Sequence, residues 1–164
     1  PHCVKGSGED ELDPDLAWAA DLPGAVLLDK DCINGFVGAM ERAEGGLWRS
    51  RLCDWVVDNG LTSLVLVGDC TDICVSDLAV ALLSAHNHGM LGAASPSDRE
   101  AYVAGITGLQ IMVHAGACAT FDLDPEQPFP EGQETLRHPG SLAHHVGLWV
   151  AASRGARIID GFAW

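Results

Sequence analysis

The apolar positions of this chain alternate between short unbroken runs and stretches with helical spacing. The run Leu64 to Val67 predicts a strand buried on both faces, and Gly68 ends it. From Cys74 the spacing becomes helical until His88 and Gly89 supply a stop, with one apolar face formed by Val75, Leu78, Ala79, Leu82 and Leu83. The sequence therefore predicts a strand that turns directly into a helix, with Cys74 in the first helical turn.

The same periodicities divide the rest of the chain into further strands, helices and loops. Strands are predicted at residues 25–28, 109–114 and 156–160, helices at 47–59 and 139–154, and a short helical turn near 16–18. Loops are predicted at 91–108, after residue 114 and at 122–130. Strands separated by helices imply one α/β domain over residues 1–164, a three-layer α/β/α arrangement with a mostly parallel sheet.

Two of the predicted helices carry side chains with a specific expected role. Thr71 and Asp72 are good capping residues just before the helix that starts near Cys74. The helix after Pro139 carries an apolar stripe of Leu142, Val146, Trp149 and Val150. Its two histidines, His144 and His145, are interpreted as surface or helix-packing residues.

Composition and charge narrow the class of protein. With 164 residues, 48% of them hydrophobic, the chain is long enough to bury a sizeable core. Its 9 basic and 23 acidic residues give a formal charge of -14, which repels phosphate backbones and anionic lipid surfaces. The longest apolar runs are too short to span a bilayer. We therefore expect neither a nucleic-acid partner nor a membrane partner.

The six cysteines are scattered through predicted strands, helices and turns, without a C-x-x-C pair. This usage is typical of reduced thiols, so a cytoplasmic protein is expected. Cys70 and Cys74 are four residues apart, but no second pair stands at zinc-site spacing. A packed or catalytic thiol is therefore favoured over a structural zinc site.

Cys74 and Lys30 are the residues most suited to chemistry. In the first turn of a helix, Cys74 lies near unpaired backbone N–H groups, which favour a nucleophilic thiolate. Lys30, one of two lysines, follows the predicted strand 25–28, so both residues fall at the carboxyl edge of the sheet, where α/β proteins build their sites. The alternatives are a small packed cysteine and an exposed lysine flanked by Asp29 and Asp31.

Six short motifs, in order along nearly the whole chain, resemble those of one enzyme family. They are residues 1–6 (PHCVKG), 30–36 (KDCINGF), 68–75 (GDCTDICV), 84–89 (SAHNHG), 117–121 (ACATF) and 142–148 (LAHHVGL). Together they resemble the isochorismatase-like cysteine hydrolases, and within that family the nicotinamidases of plant and algal type. The resemblance implies the Rossmann-like α/β fold of that family.

The resemblance also implies a reaction and the residues that perform it. A cysteine thiolate attacks the carboxamide carbon of nicotinamide, ammonia leaves, and water hydrolyses the thioester to nicotinic acid, a step of NAD salvage. Cys74 is the implied nucleophile, and Lys30 the lysine of an aspartate, lysine and cysteine triad. The peptide bond between Asp69 and Cys70 is implied to be cis, and the N–H groups of Cys70 and Cys74 to form an oxyanion hole.

Two further family features fall on His2 and Phe36. His2 matches the last histidine of a metal site, in which zinc, or alternatively iron or manganese, holds the pyridine nitrogen of the substrate. The alternative for His2 is a frayed terminal residue. Phe36 matches an aromatic residue near the substrate pocket, against the alternative of a core phenylalanine. A homo-oligomer that acts on a small molecule is expected.

The family pattern includes an N-terminal part that has no counterpart in this sequence. Family members open with a central strand that carries the catalytic aspartate, which is the general base, followed by two more metal ligands. Because the sequence starts at Pro1 without these features, we expect it to be the C-terminal portion of a longer enzyme. Asp31, Asp69 and Asp72 are candidates to replace the base, although Asp72 is better explained as a cap and Asp31 as a solvated charge.

Two alternatives to a nicotinamidase remain open. The first is another hydrolase of the same fold, acting on isochorismate, ureidoacrylate or a carbamoyl amine. The Pro-His-Cys stretch favours nicotinamide over these substrates, because it belongs to the metal site that the isochorismate enzymes lack. The second alternative is a catalytically inactive relative that serves as a subunit or interaction domain, which the missing aspartate favours.

Overall fold

The structure is a computed structural model that describes residues 4–46, 48–88, 109–123 and 137–161. The strands in these ranges are β1 (Met40–Arg42), β2 (Trp48–Ser50), β3 (Ser63–Asp69), β4 (Gln110–Ala119) and β5 (Arg157–Ile159). The helices are α1 (Gly35–Gly38), α2 (Arg51–Asp58), α3 (Ser76–Asn87) and α4 (Gly140–Ser153), with a 3₁₀ helix at Pro14–Asp21 and a π-helical turn at Thr71–Val75.

Strands β3, β4 and β5 form a parallel sheet in that order, while β1 and β2 form a separate antiparallel hairpin. Leu64 of β3 pairs with Ile111 of β4, and Val113 of β4 pairs with Ile158 of β5. Helices connect the strands of the parallel sheet along the chain. This arrangement confirms the predicted α/β class.

Strand β4 is longer than the sequence predicts. The predicted strand ends at His114 and a loop follows, but β4 continues to Ala119. A bulge shifts the register of β4 against β3, and within it the His114 ring accepts a hydrogen bond from the Ala117 N–H at 3.1 Å. Beyond the bulge Asp69 still pairs with Ala119. The bulge therefore keeps the carboxyl ends of the two strands side by side.

The described core lies between helices and one face of the sheet. Leu64 and its partner Ile111 point to the same side as Val113, because side chains alternate between the faces of a strand. They pack with buried residues of the helices, namely Cys53, Val56, Ala79, Leu82, Leu83 and Ala151. Val67 is 55% exposed. The prediction that residues 64–67 are buried on both faces is therefore wrong at Val67, because the helices of this core pack against the other face.

Two predictions along the first half of the chain are wrong. Residues 25–28 form no strand, because within the described ranges no neighbouring strand pairs with them, and Val26 and Leu27 are more than half exposed. Helix α2 begins at Arg51 and not near 47, since the Ser50 side chain caps it. Residues 48–50 instead form β2, whose pairing with β1 the apolar pattern did not indicate.

Helix α4 buries small residues instead of its predicted apolar stripe. Leu142, Val146 and Trp149 are exposed, whereas the buried positions are Gly140, Ala143, Gly147 and Ala151. Small residues on the inner face let the helix backbone approach its neighbours closely, and the large side chains then lie on the outside. The helix itself, Gly140–Ser153, is close to the one predicted.

The remaining predictions are either confirmed or lie outside the described residues. Helix α3 carries the predicted buried face, β5 lies within 156–160, and the turn near 16–18 belongs to the 3₁₀ helix. The predicted loop at 91–108 lies outside the described ranges, as does most of the one at 122–130. In the part of the chain that the structure describes, no helix is long and apolar enough to cross a membrane.

Candidate active site

Cys74 lies where β3 passes into α3. Strand β3 ends at Asp69, and the peptide bond from Asp69 to Cys70 is cis, the form that the resemblance implied. The carbonyl of Cys70 accepts the N–H groups of Ile73 and Val75, each at 3.1 Å, which closes the π-helical turn. The half-buried Cys74 is thereby held at the amino end of α3, at the carboxyl edge of the sheet.

The ammonium group of Lys30 lies beside the sulfur of Cys74. Lys30 Nζ is 3.9 Å from Cys74 Sγ, and it also donates to the carbonyls of Cys32 at 3.1 Å and Ile33 at 3.4 Å. An ammonium carries three protons, so these three acceptors account for all of its donors. No carboxylate among the described residues forms an ion pair with Lys30. The structure thus brings together the two residues that the sequence singled out, with the lysine charge directed at the sulfur.

Gly38 and Asn34 place the segment that carries Lys30. A Cβ added to Gly38 would lie 2.5 Å from the Lys30 Cβ, so α1 meets this lysine at a distance that only glycine permits. The Asn34 side chain caps α1 by accepting two backbone N–H groups, and its amide donates to the Asp77 carbonyl of α3 at 3.3 Å. Helix α1 therefore fixes Lys30 against the helix that follows the cysteine.

Asp72, in the π-helical turn, is bound through both of its carboxylate oxygens. Thr120 Oγ1 donates to Oδ1 at 2.6 Å, and His138 Nε2 lies 2.7 Å from Oδ2. The side chains of Asp72 and His138 are only 15% and 19% exposed. The prediction that Asp72 caps the following helix is wrong, because neither the π-helical turn nor α3 has a side-chain cap, and the Asp72 oxygens bind Thr120 and His138 instead. Asp72 instead ties the turn to the end of β4 and to the residues before α4.

Thr71 fixes the same turn from another side. Its hydroxyl is 3.0 Å from the Ala119 carbonyl and 2.8 Å from His144 Nδ1, and the residue is buried. Because a hydroxyl has one proton, donation to Ala119 leaves the oxygen to accept from the protonated Nδ1 of His144. Thr71 is therefore not a cap either. His144 packs against the turn, in line with the helix-packing interpretation, while His145 is exposed.

The charge states of Asp72 and His138 follow from these contacts. Burial raises the pKa of Asp72, but the hydrogen bonds from Thr120 and His138 outweigh it and hold this pKa below its ordinary value. The hydrogen bond to Asp72 raises the pKa of His138, with smaller contributions from the Phe121 carbonyl and the Asp122 carboxylate. The contacts therefore favour a carboxylate paired with an imidazolium.

Two other cysteines in the described ranges are more deeply buried than Cys74. Cys53 and Cys118 are buried, and burial raises the pKa of both thiols, as expected for packed and unreactive cysteines. All five described cysteines are free. This agrees with the usage of reduced thiols that the sequence indicated.

The three carboxylates considered as replacements for the general base are not hydrogen-bonded to the sulfur. Within the described residues, the one hydrogen bond of Cys74 Sγ is with Lys30, so none of the carboxylates Asp31, Asp69 and Asp72 is bonded to it. Asp31 and Asp69 are exposed. No replacement for the general base is therefore found among them.

Phe36 and His2 are the remaining residues that were predicted for the site. Phe36 is half-buried and packs against the hydrophobic core, which agrees with the alternative of a core phenylalanine, and its place near a substrate stays a prediction. His2 lies outside the described residues. Across the ranges that the structure covers, no three side chains of His, Cys, Asp or Glu gather in a way that could hold a metal ion.

Sequence reasoning missed the residues that support the turn from a distance. His138 meets Asp72 across 66 positions and Thr120 meets it across 48, so no local spacing could reveal either contact. Gly38, the last residue of α1, carried only a weak signal, because a glycine there can mark either a helix end or a close approach of backbone.

The fold and the site together define a class: an α/β protein with a cysteine and a lysine paired at the carboxyl edge of a parallel sheet. The chain belongs to the isochorismatase family, since the family model described as the isochorismatase domain matches residues 1–129. This match confirms the family resemblance of the sequence motifs.

Two relatives show how the chain compares with known proteins. It is 41% identical over 160 residues to Nicotinamidase 1 of Arabidopsis thaliana, which covers 98% of this chain and 58% of that protein. Its structure is similar to the crystal structure of nicotinamidase PncA from Bacillus subtilis, with a TM-score of 0.55, 23% identity, and coverage of 97% of this chain and 62% of that one. This second likeness supports the fold alone. The chain spans about three-fifths of the length of both relatives.

Proposed function

We propose that this protein hydrolyses nicotinamide to nicotinic acid and ammonia, with Cys74 as nucleophile. The observation that carries the proposal is the 3.9 Å distance between Lys30 Nζ and Cys74 Sγ at the carboxyl edge of the sheet. A cation beside a thiol at the amino end of a helix favours the thiolate needed for attack on an amide. The identity of 41% with a relative named Nicotinamidase 1 supports the choice of substrate.

The proposed reaction forms and breaks one carbon–sulfur bond. The Cys74 sulfur adds to the carboxamide carbon, and the carbonyl electron pair moves to oxygen to give a tetrahedral intermediate. The carbon–nitrogen bond then breaks, and the nitrogen takes a proton and leaves as ammonia. Water adds to the resulting thioester, the carbon–sulfur bond breaks, and nicotinic acid leaves while the thiol is restored.

Lys30 and the turn backbone are proposed to stabilise the charges of this reaction. The Lys30 ammonium lies against the attacking sulfur and is anchored by two carbonyls, so it needs no rearrangement during attack. The N–H groups of Cys70 and Cys74 are proposed as donors to the oxyanion, and Phe36 as a wall of the substrate pocket. The proton acceptor is proposed to be an aspartate, as the family resemblance implies.

A divalent metal ion is proposed from the resemblance alone. His2, its one predicted ligand, lies outside the described residues, and the described ranges offer no cluster of three ligating side chains. The described residues therefore do not fit a metal site, and no step of the proposed reaction runs through one. Zinc, with iron and manganese as alternatives, stays a prediction for His2.

The cellular setting is also proposed. A single domain that produces nicotinic acid serves the salvage of NAD, and the free cysteines support a reducing compartment such as the cytoplasm. A homo-oligomer stays a prediction, which light scattering on the purified protein would test.

The test is release of ammonia and nicotinic acid from nicotinamide, measured on the gene product that contains this sequence, with and without added divalent metal. We expect Cys74→Ala to abolish release, and Lys30→Met to lower kcat by about 100-fold or more. Lys5→Met is the matched control, since Lys5 is the other lysine and forms an exposed ion pair with Asp29. It should leave the rate unchanged.

Three results would contradict the proposal in different ways. Release that survives Cys74→Ala excludes the nucleophile. Hydrolysis of isochorismate, ureidoacrylate or a carbamoyl amine, but not of nicotinamide, replaces the substrate. A folded gene product that hydrolyses none of these compounds favours a catalytically inactive family member.

A further inference from the structure

His138 bridges two parts of the candidate site through both nitrogens of its ring. Nε2 lies 2.7 Å from Asp72 Oδ2, and Nδ1 lies 2.9 Å from the carbonyl oxygen of Phe121. The ring also stacks on the Phe121 ring, with centroids 4.1 Å apart and an interplanar angle of 21°. These contacts hold the imidazole in one orientation, although it stands 66 positions from Asp72.

The protonation of His138 follows from its two partners. A carboxylate oxygen and a backbone carbonyl oxygen are both acceptors, so each ring nitrogen has to bring a proton. Only the doubly protonated imidazolium donates to both at once. A neutral ring carries one N–H and loses one of the two hydrogen bonds.

The bridge reaches the turn that carries the cysteine. Asp72 is two residues before Cys74 in the π-helical turn Thr71–Val75, and its second oxygen is held by Thr120. Thr120 and Phe121 follow directly on β4. His138 and Thr120 therefore anchor the Asp72 carboxylate of the turn to the residues that follow β4.

We propose that His138 is a positioning residue for Cys74: as an imidazolium it joins Asp72 to the Phe121 carbonyl and so fixes the turn that carries the nucleophile. This inference rests on the proposed function for its effect on turnover. It makes the order of the turn depend on the proton of a group that is not hydrogen-bonded to the Cys74 sulfur.

The charged groups around His138 decide how the order of the turn changes with pH. Asp72 of the turn and Asp122 after β4 both favour the cation. His144 of α4 faces the same turn and contacts the neighbouring Thr71 hydroxyl. We expect kcat to fall as the pH rises past the titration of His138, because the neutral ring releases either Asp72 or the carbonyl.

Two amide substitutions of His138 test its hydrogen bonds to Asp72 and to the Phe121 carbonyl separately. The amide nitrogen of glutamine reaches about as far from the backbone as Nε2, and that of asparagine about as far as Nδ1. H138Q therefore keeps the bond to Asp72, whereas H138N keeps only the bond to Phe121. His145, exposed on α4, gives the matched controls H145Q and H145N.

We expect H138N to lower kcat by about 10- to 100-fold with little change in KM. A rate loss of this size is what a small displacement of a reacting group produces. H138Q should recover most of that loss and should lack the fall of kcat at high pH. Equal kcat values in H138N and H138Q, or a change confined to KM, would overturn the proposal. So would a fall of kcat in H138Q at the same pH as in the wild type.

Hydrogen exchange of the turn amides tests the positioning role of His138 without depending on the proposed reaction. The amides of Ile73 and Val75, which bind the Cys70 carbonyl, report the order of the turn without any substrate. Should the wild type not hydrolyse nicotinamide, the proposed function fails, and faster exchange in H138N than in H138Q still supports the positioning role. Equal exchange rates overturn it. Should H138N not fold, Asp72→Asn replaces it, with the same expected rise in exchange.

Discussion

Gly147 of α4 lies directly against Asp72 of the π-helical turn. A Cβ added to Gly147 would stand 2.7 Å from the Asp72 Cα and 2.7 Å from the Thr71 carbonyl oxygen. Helix and turn therefore meet backbone to backbone, at a distance that no other residue type permits. Together with His144 and His138, this contact makes α4 and the residues before it the support on which the nucleophile turn rests.

We predict that Gly147→Ala displaces this turn. The added methyl group meets backbone atoms, which cannot move aside as a flexible side chain does, so we expect a loss of about 1–3 kcal/mol in the free energy of unfolding. Because the displaced turn carries Cys74, kcat should fall as well. Urea unfolding and steady-state kinetics measure the two effects.

Gly161 provides the control for this substitution. A Cβ there meets nothing within 4 Å, so Gly161→Ala should leave both the stability and kcat close to wild type. Wild-type stability and turnover in Gly147→Ala would show that α4 is free to shift and does not hold the turn.

The sequence was sufficient to predict the strand, turn and helix around Cys74, because each is set by local spacing and by the change from unbroken to helical apolar pattern. It also indicated that Lys30 lies near Cys74, which the structure bears out, although the strand at 25–28 from which this was argued does not form. It failed for residues 25–28, where an apolar run has no partner strand in the described ranges. It failed again for α4, where a close backbone contact decided which face is buried.

The roles of Asp72 and His138 could not be predicted for a different reason. Capping is a local property, and it was the natural expectation for an aspartate just before a helix. The actual partners of Asp72 come from β4 and from the segment before α4, and the fold alone brings them together. Such long-range polar contacts leave no periodic signal in a single sequence.

A second prediction concerns the approach of α1 to Lys30. A Cβ on Gly38 would lie 2.5 Å from the Lys30 Cβ and 3.2 Å from its Cα. Gly38→Ala should therefore push the lysine away from Cys74 and lower kcat by about 10-fold or more, as expected when a charged group is misplaced at a site. Steady-state kinetics with nicotinamide measures the change.

Gly35, in the same short helix, is the matched control. A Cβ at Gly35 would make ordinary contact with the Leu78 side chain at 3.6 Å, so Gly35→Ala should be tolerated. Equal effects of the two substitutions would mean that α1 tolerates no added methyl group anywhere, and that the position of Lys30 is not the cause.

A third prediction tests the cap of α1. Asn34→Ala removes both the cap and the side-chain hydrogen bond to the Asp77 carbonyl. It should lower the free energy of unfolding by about 1–2 kcal/mol and should also lower kcat. Asn34→Asp keeps the capping oxygen but not the amide donor. It should therefore retain the cap and lose the tie to α3. Should Asn34→Asp match Asn34→Ala in both stability and kcat, the capping oxygen contributes nothing.

The last prediction is a pH dependence of stability that comes from the pair of Asp72 and His138. The pKa of His138 is raised above its ordinary value of 6.5, so its contribution is complete below pH 6.5 and is lost as the pH rises through the higher, folded-state pKa. The pKa of Asp72 is lowered below its ordinary 3.8, so its contribution is complete above pH 3.8 and is lost as the pH falls through the lower, folded-state pKa. The pair therefore stabilises the fold most between pH 3.8 and 6.5.

Urea unfolding of wild type and H138Q, from this range up to alkaline pH, measures the effect as a difference in unfolding free energy. Subtracting H138Q removes the titration of groups that do not interact with His138, so the difference reports on the pair of His138 and Asp72. The difference in unfolding free energy should be largest in the mildly acidic range and should shrink as the pH rises above neutrality. His138 of the wild type is then deprotonated, whereas glutamine does not titrate. H145Q, measured in parallel, should show no such trend, since His145 is exposed on α4. A difference between wild type and H138Q that stays constant with pH would mean that His138 does not change its charge in the folded protein over this range.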